Sequence, residues 1–162
     1  MTVKEFFKWL RDQKVTRKVD EVILHHTWRP TKAQYRGKET IEGIRAHHKS
    51  QGWKDIGYHL LIAPDGEIWL GRPLNEVGAH TVGRNSRSVG VCLIGNFDEE
   101  KLEEPQKGVA IAVLAALLQK FNLTVKSLNF HRDYAQKTCP GKLIDKGALR
   151  ALVATEIAKQ RG

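Results

Sequence analysis

The sequence predicts one α/β (α+β) domain, a central mixed β-sheet of about five or six strands flanked by helices. Three observations lead there. Val22-Ile23-Leu24 and Val89-Gly90-Val91-Cys92-Leu93-Ile94 are short continuous apolar runs, the pattern of strands buried on both faces. Segments with helical spacing lie between and beyond them, as in Val109, Val113, Ala116 and Leu117. The chain has 162 residues, enough for one domain with a real core and tight for two.

The elements follow in order. Thr2 and Glu5 have the spacing of a capping box, which predicts a short helix with Val3, Phe6, Phe7 and Leu10 as its apolar stripe. Val19 to His26 reads as a strand. Thr40 is placed to cap a helix that runs to about Ser50, before Gly52 stops it. Tyr58 to Ala63 and Glu67 to Leu70 flank Pro64-Asp65-Gly66, which is turn chemistry for a hairpin. Val89 to Gly95 is a further central strand. Pro105 suits the first turn of a helix reaching Phe121. Leu128 to Phe130 is a short strand. Asp145 is placed to cap a last helix with the stripe Leu149, Leu152, Val153 and Ile157. Residues 1–18 read as an N-terminal helical extension to a main domain over 19–162.

Composition narrows the function classes. Lys and Arg number 27 against 18 Asp and Glu, a net charge of +9, which points to a polyanionic partner such as nucleic acid or an anionic cell envelope. No zinc-finger spacing, helix-turn-helix signature or RNA-recognition aromatic motif supports nucleic acid. No stretch approaches the roughly 20 apolar residues of a membrane helix. The charges in Met1 to Lys14 interrupt every apolar run, so no secretory leader is expected and synthesis is expected in the cytosol. Only two cysteines occur, which argues against a disulfide framework. Cys92 lies in an apolar strand run and reads as a core residue. Cys139 sits in a polar loop beside Pro140-Gly141, a position that asks for a chemical reason.

The seven histidines are not scattered at random. His25-His26 end a buried strand, and His131-Arg132-Asp133 follow another one. Cys139 comes eight residues after His131. Strand ends and the loops after them are where sites sit on α/β scaffolds. Zinc accepts imidazole nitrogen and thiolate sulfur, and three protein ligands leave a fourth position for water, as a catalytic site requires. No CxxC pair or HExxH segment is present, and each histidine alone has an ordinary structural explanation. Strand alternation puts His25 and His26 on opposite faces, and the apolar run does not say which face would hold a metal.

At this point the sequence resembles a family. Val22-Ile23-Leu24-His25-His26-Thr27, Gly52-Trp53-Lys54-Asp55-Ile56-Gly57-Tyr58-His59, Asp65-Gly66, Gly71-Arg72 and Gly78-Ala79-His80-Thr81 occur in order. They are followed by Ser88-Val89-Gly90-Val91-Cys92-Leu93-Ile94-Gly95-Asn96-Phe97, His131-Arg132-Asp133 and Thr138-Cys139-Pro140-Gly141. Together they look like the N-acetylmuramoyl-L-alanine amidases, a family that includes phage amidase-type lysozymes and animal peptidoglycan recognition proteins. The resemblance covers roughly residues 19 to 158 and makes 19–162 the amidase domain.

The resemblance implies one Zn2+ per chain held by His25, His131 and Cys139, with the first of the two adjacent histidines as the ligand. It implies Tyr58 as the catalytic tyrosine and matches Lys137 to the lysine of the phage enzymes. The extra cysteine pair of many animal members is absent, which places the chain nearer the phage and bacterial branch. The implied reaction is hydrolysis of the amide between N-acetylmuramic acid and L-alanine, with Lys137 and Tyr58 as donors to the charge that builds on the carbonyl oxygen. No glutamate occupies an obvious motif position, which leaves His80 as a candidate base. His26, Trp53, Arg72, His80, Thr81 and Asn85 are expected to line the substrate groove, with Trp28 beside Trp53 as a stacking surface and Arg72 facing a stem-peptide carboxylate. His47, His48 and His59 read as structural or surface residues. The expected partners are peptidoglycan, its muropeptides and anionic envelope polymers, met by a monomer without membrane insertion. A phage-type endolysin, released from the cytoplasm onto the wall, fits best. A muropeptide-recycling amidase and a non-catalytic peptidoglycan-binding protein are the alternatives.

Overall fold

A computed structural model describes residues 1–162. Its elements run α1 (Val3–Asp12), β1 (Glu21–His26), α2 (Lys38–Ser50), β2 (Leu60–Ile62), β3 (Ile68–Leu70), β4 (Ser88–Leu93), α3 (Gln106–Lys120), β5 (Leu128–Phe130) and α4 (Lys146–Arg161). The five strands form one mixed sheet in the order β3-β2-β4-β1-β5. Only the β2–β3 hairpin is antiparallel. β1 and β4 are central, which is why their sequences carry unbroken apolar runs.

Helices cover both faces. Phe6 and Leu10 of α1, Val113 and Leu117 of α3, and Leu149 and Val153 of α4 meet Val22, Leu24, Val89 and Val91 in the larger core. Ile41 of α2 packs with Ile56, Leu61, Cys92 and Ile94 on the opposite face. The segment predicted as an N-terminal extension therefore shares the main core. No helix is long and apolar enough to cross a membrane.

Several boundaries follow the local chemistry. Thr2 and Glu5 close the capping box at α1, and the Asp145 side chain accepts from Ala148 N–H to start α4. Thr40 does not cap α2: the cap lies three residues earlier at Gly37, whose φ of 63° favours glycine, and the Thr40 hydroxyl accepts from Arg36 N–H instead. Leu152 departs from its expected stripe and faces solvent, because α4 meets the core through Leu149 and Val153.

Candidate active site

The site forms where β1 and β5 end. β1 alternates, so Glu21, Ile23 and His25 share one face, and register places His25 opposite Cys92. That face is the α2 side of the sheet. Strand register thus brings the His25 ring, and not that of His26, into one group with the donor atoms of His131 and Cys139. The His25 ring is buried, with its Nδ1 3.8 Å from Cys139 Sγ and its centroid 4.6 Å from that of His131. One donor atom from each of His25, His131 and Cys139 lies within 4.8 Å of the others.

Local structure holds each of the three. His131 begins a short turn directly after β5, and the Asp133 carboxylate reaches back to accept from Phe130 N–H at 2.8 Å. Arg132 then grips the cysteine loop: its N–H donates to Cys139 O, and its guanidinium donates to Gly141 O and Ile144 O, each at 2.8 Å. Asp98 fixes the other side of that loop, accepting from Thr138 Oγ1 and Lys142 N–H at 2.9 Å. The His26 N–H donates to Cys139 Sγ at 3.3 Å.

The donor set suits a soft divalent cation. Burial, with its histidine neighbours, holds His25 well below the usual imidazole range, and burial with Lys137 nearby lowers His131. Both rings are therefore neutral and offer lone pairs. Burial pushes the Cys139 thiol up to about 11. A coordinated cation reverses that penalty and takes the thiolate.

His80 lies behind His25 and explains its orientation. His25 Nε2 is 2.9 Å from His80 Nδ1 and 3.3 Å from Thr81 Oγ1, and His80 Nε2 is 3.3 Å from Ser88 Oγ. With His25 Nδ1 turned to the cleft, Nε2 carries the proton and donates to His80, which in turn donates to Ser88. Burial lowers His80 to about 3, so it stays neutral. Both its ring nitrogens are engaged within the protein, which leaves none to act as a base toward the cleft. Glycines make room for this ring: a Cβ on Gly90 would come within 2.6–2.8 Å of it, and one on Gly78 within 2.7 Å.

A cavity of about 470 Å³ opens over the three donors, lined also by His26, Trp28, Trp53, Tyr58, His80 and Lys137. The Tyr58 ring stands 5.1 Å from that of His25, and burial raises its hydroxyl well above the usual phenol value, so it is a neutral donor. Trp28 and Tyr58 also border a second cavity of about 580 Å³ against α2. Trp28 is 50% exposed and adopts φ 61°, a strained conformation for a bulky side chain.

Three expected groove residues lie elsewhere. Arg72 is buried and donates to the carbonyls of Ile56, Val77 and Asp55, so it braces a loop instead of facing a ligand. Thr81 is beneath His25. The Asn85 side-chain oxygen accepts from His80 N–H and Thr81 N–H, shaping the loop that carries them.

Two residues with structural consequences at the site escaped the sequence reading. His48, read as structural or surface, accepts from Gly57 N–H at 2.9 Å and packs 4.7 Å from Trp53 and 5.7 Å from Tyr58. Its only sequence signal is its position on the α2 face that meets the Trp53–Tyr58 segment. Asp98 carried no signal beyond following Gly95-Asn96-Phe97.

Known proteins share this sequence pattern and this fold. A family model described as N-acetylmuramoyl-L-alanine amidase matches residues 15–142. The endolysin of Klebsiella phage KP32 is 41% identical over 105 residues, covering 62% of this chain and 68% of that protein. The endolysin of Escherichia phage T7 is 38% identical over the same shares. Among solved structures, the endolysin amidase LysCS from Clostridium intestinale URNW has a TM-score of 0.73 at 36% identity, covering 83% of each chain. A complex of peptidoglycan recognition proteins LCa and LCx with bound tracheal cytotoxin gives a TM-score of 0.69 at 28% identity, covering 82% of this chain and 81% of that one.

Proposed function

The chain belongs to the N-acetylmuramoyl-L-alanine amidase family, and from that premise we propose that it is a zinc-dependent endolysin in which His25, His131 and Cys139 hold one Zn2+. Its activity is that of a peptidoglycan amidase, cutting the bond between N-acetylmuramic acid and L-alanine. The observation that carries the zinc reading is the convergence of two neutral imidazoles and a thiol, distant in sequence, at the floor of an open cleft.

When bound, zinc supplies Lewis acidity for the amide carbonyl and lowers the pKa of water at the site. The protein supplies the rest. His80 and Thr81 fix the tautomer and tilt of His25 from behind, which keeps Nδ1 directed at the cleft. Arg132 and Asp98 hold the Cys139 loop in place from two sides. Attack on the amide builds negative charge on its oxygen. The Tyr58 hydroxyl, neutral and preorganised, and the Lys137 side chain, charged and on the exposed loop, donate to that oxygen from the same cleft. Trp53, pinned by His48, and Trp28 offer apolar faces to the sugar and peptide. His26, whose Nδ1 accepts from Phe97 N–H, presents its other ring nitrogen at the rim.

The test is mass spectrometry of digested sacculi with zinc stoichiometry on the same sample. The expected products are intact glycan strands and free stem peptides with N-terminal L-alanine, from a protein with one zinc per chain. Tight wall binding without new amino termini supports a non-catalytic binder instead. Turnover of soluble muropeptides with no action on sacculi supports a recycling amidase.

A further inference from the structure

The foot of the site holds a carboxylate that the mechanism above does not use. Glu21 opens β1 on the same face as His25, four residues before it, or roughly 13 Å at the usual strand rise. It is 2% exposed, and a carboxylate so buried is costly unless paired and fully hydrogen-bonded. Glu21 meets that condition. Its Oε2 accepts from Arg84 Nε at 2.7 Å and lies 2.6 Å from Arg84 Nη2. Its Oε1 accepts from Asn129 Nδ2 at 2.9 Å and from the Tyr134 hydroxyl at 2.6 Å. The Arg84 guanidinium also lies 4.6 Å from the centre of the Tyr134 ring.

These partners come from the segments that build the metal site. Arg84 belongs to the loop that presents His80 and Thr81 to His25 Nε2, and its N–H donates to Thr81 O at 3.0 Å. Tyr134 closes the turn that opens with His131, and its N–H donates to His131 O at 3.0 Å. Asn129 sits two residues before His131 on β5. A buried ion pair is weak evidence for stability, since an apolar cluster of like volume often serves as well, whereas it can fix how segments sit relative to one another. Here one carboxylate ties β1, the His80 loop and the His131 turn together.

We infer that Glu21 is a positioning residue of the metal site, holding the His25 support through Arg84 and the aim of His131 through Tyr134. The inference rests on the ligand set proposed above. The test compares Glu21→Gln, which keeps the shape and removes the charge, with Tyr134→Phe, which removes one hydroxyl from a residue 37% exposed. Zinc affinity is measured by chelator competition. The visible spectrum of the cobalt-loaded protein reports ligand geometry, and thermal denaturation of the metal-free form reports stability. The expected result for Glu21→Gln is about 10–100-fold weaker zinc binding, the range for groups that orient ligands, with a changed cobalt spectrum and a loss in kcat larger than any change in KM. Tyr134→Phe moves affinity and spectrum in the same direction. A lower melting temperature with wild-type affinity and spectrum means a purely structural carboxylate and overturns the inference. If Glu21→Gln does not fold, Tyr134→Phe decides by the same readings. A wild-type protein that binds no zinc overturns the ligand set and this inference with it, whereas tight wild-type binding matched by both variants overturns this inference alone.

Discussion

Gly90→Ala isolates the support of His25 without touching a ligand. The added Cβ would lie 2.6–2.8 Å from three atoms of the His80 ring, short of the 3.4 Å of ordinary contact by 0.6 to 0.8 Å. Gly90 is in the middle of a central strand, its N–H donates to His59 Nδ1, and its carbonyl accepts from His59 N–H, so the backbone cannot yield. The ring must move. His80 Nδ1 is 2.9 Å from His25 Nε2, and a shift of that size along their line stretches the contact to about 3.6 Å or compresses it below hydrogen-bond range. Overpacking of this kind costs about 1–3 kcal/mol of stability. Loss of the ring that orients a ligand costs about 10–100-fold in metal affinity. The assay is chelator competition for zinc alongside urea denaturation of the metal-free protein. Gly43→Ala is the control: its Cβ meets nothing within 4 Å, and alanine in a helix interior gains up to about 1 kcal/mol. Wild-type zinc affinity in a destabilised Gly90→Ala protein would refute the idea that His80 acts through His25.

Three further outcomes follow from the same geometry. Tyr58→Phe removes a preorganised donor and is expected to lower kcat by about 10²–10³ with KM and zinc content nearly unchanged, as read by steady-state kinetics and metal analysis. Cys139→Ala leaves two imidazoles at the cleft and is expected to abolish both stoichiometric zinc and wall lysis, while His26→Ala retains zinc because its ring hydrogen-bonds Phe97 and lies away from the donor triangle. Stability of the metal-free protein falls in acid through His59. Burial lowers this imidazole to about 4, and its Nδ1 accepts from Gly90 N–H, so a proton there meets a donor. Above pH 6.5 neither state is protonated. Between 6.5 and 4 the unfolded chain binds a proton that the native state refuses, so stability drops as pH falls, by about 3 kcal/mol in all, and levels off below 4. Urea titrations from pH 7 to 4 should show a shallower fall in His59→Gln, and an identical fall would contradict the assignment.

The sequence was most legible where structure is local. The Thr2–Glu5 capping box and the Asp145 cap each depend on residues within one helical turn, and both form. The buried strands were visible because β1 and β4 occupy the sheet centre, where every residue is apolar or specially placed. Legibility failed where a side chain's role is set by what folds against it. Arg72 is a cation in the sequence, yet the backbone carbonyls of Asp55, Ile56 and Val77 claim its donors. Thr40 has cap chemistry, but its hydroxyl meets Arg36 N–H before the helix can use it. His80 has the chemistry of a base, and only the fold shows its ring packed against Gly78 and Gly90 with both nitrogens taken up by His25, Thr81 and Ser88. Glu21 stands beside an apolar run like any strand-start carboxylate, and nothing local foretells that Arg84, Asn129 and Tyr134 converge on it.

X-ray absorption at the zinc edge of the purified protein addresses the ligand set most directly. Two imidazole nitrogens at about 2.0–2.1 Å and one sulfur at about 2.3 Å are expected, with the sulfur lost when Cys139→Ala is loaded by excess zinc and one nitrogen lost when His25→Ala is loaded the same way. A first coordination sphere without sulfur, or one unchanged by either substitution, would contradict it.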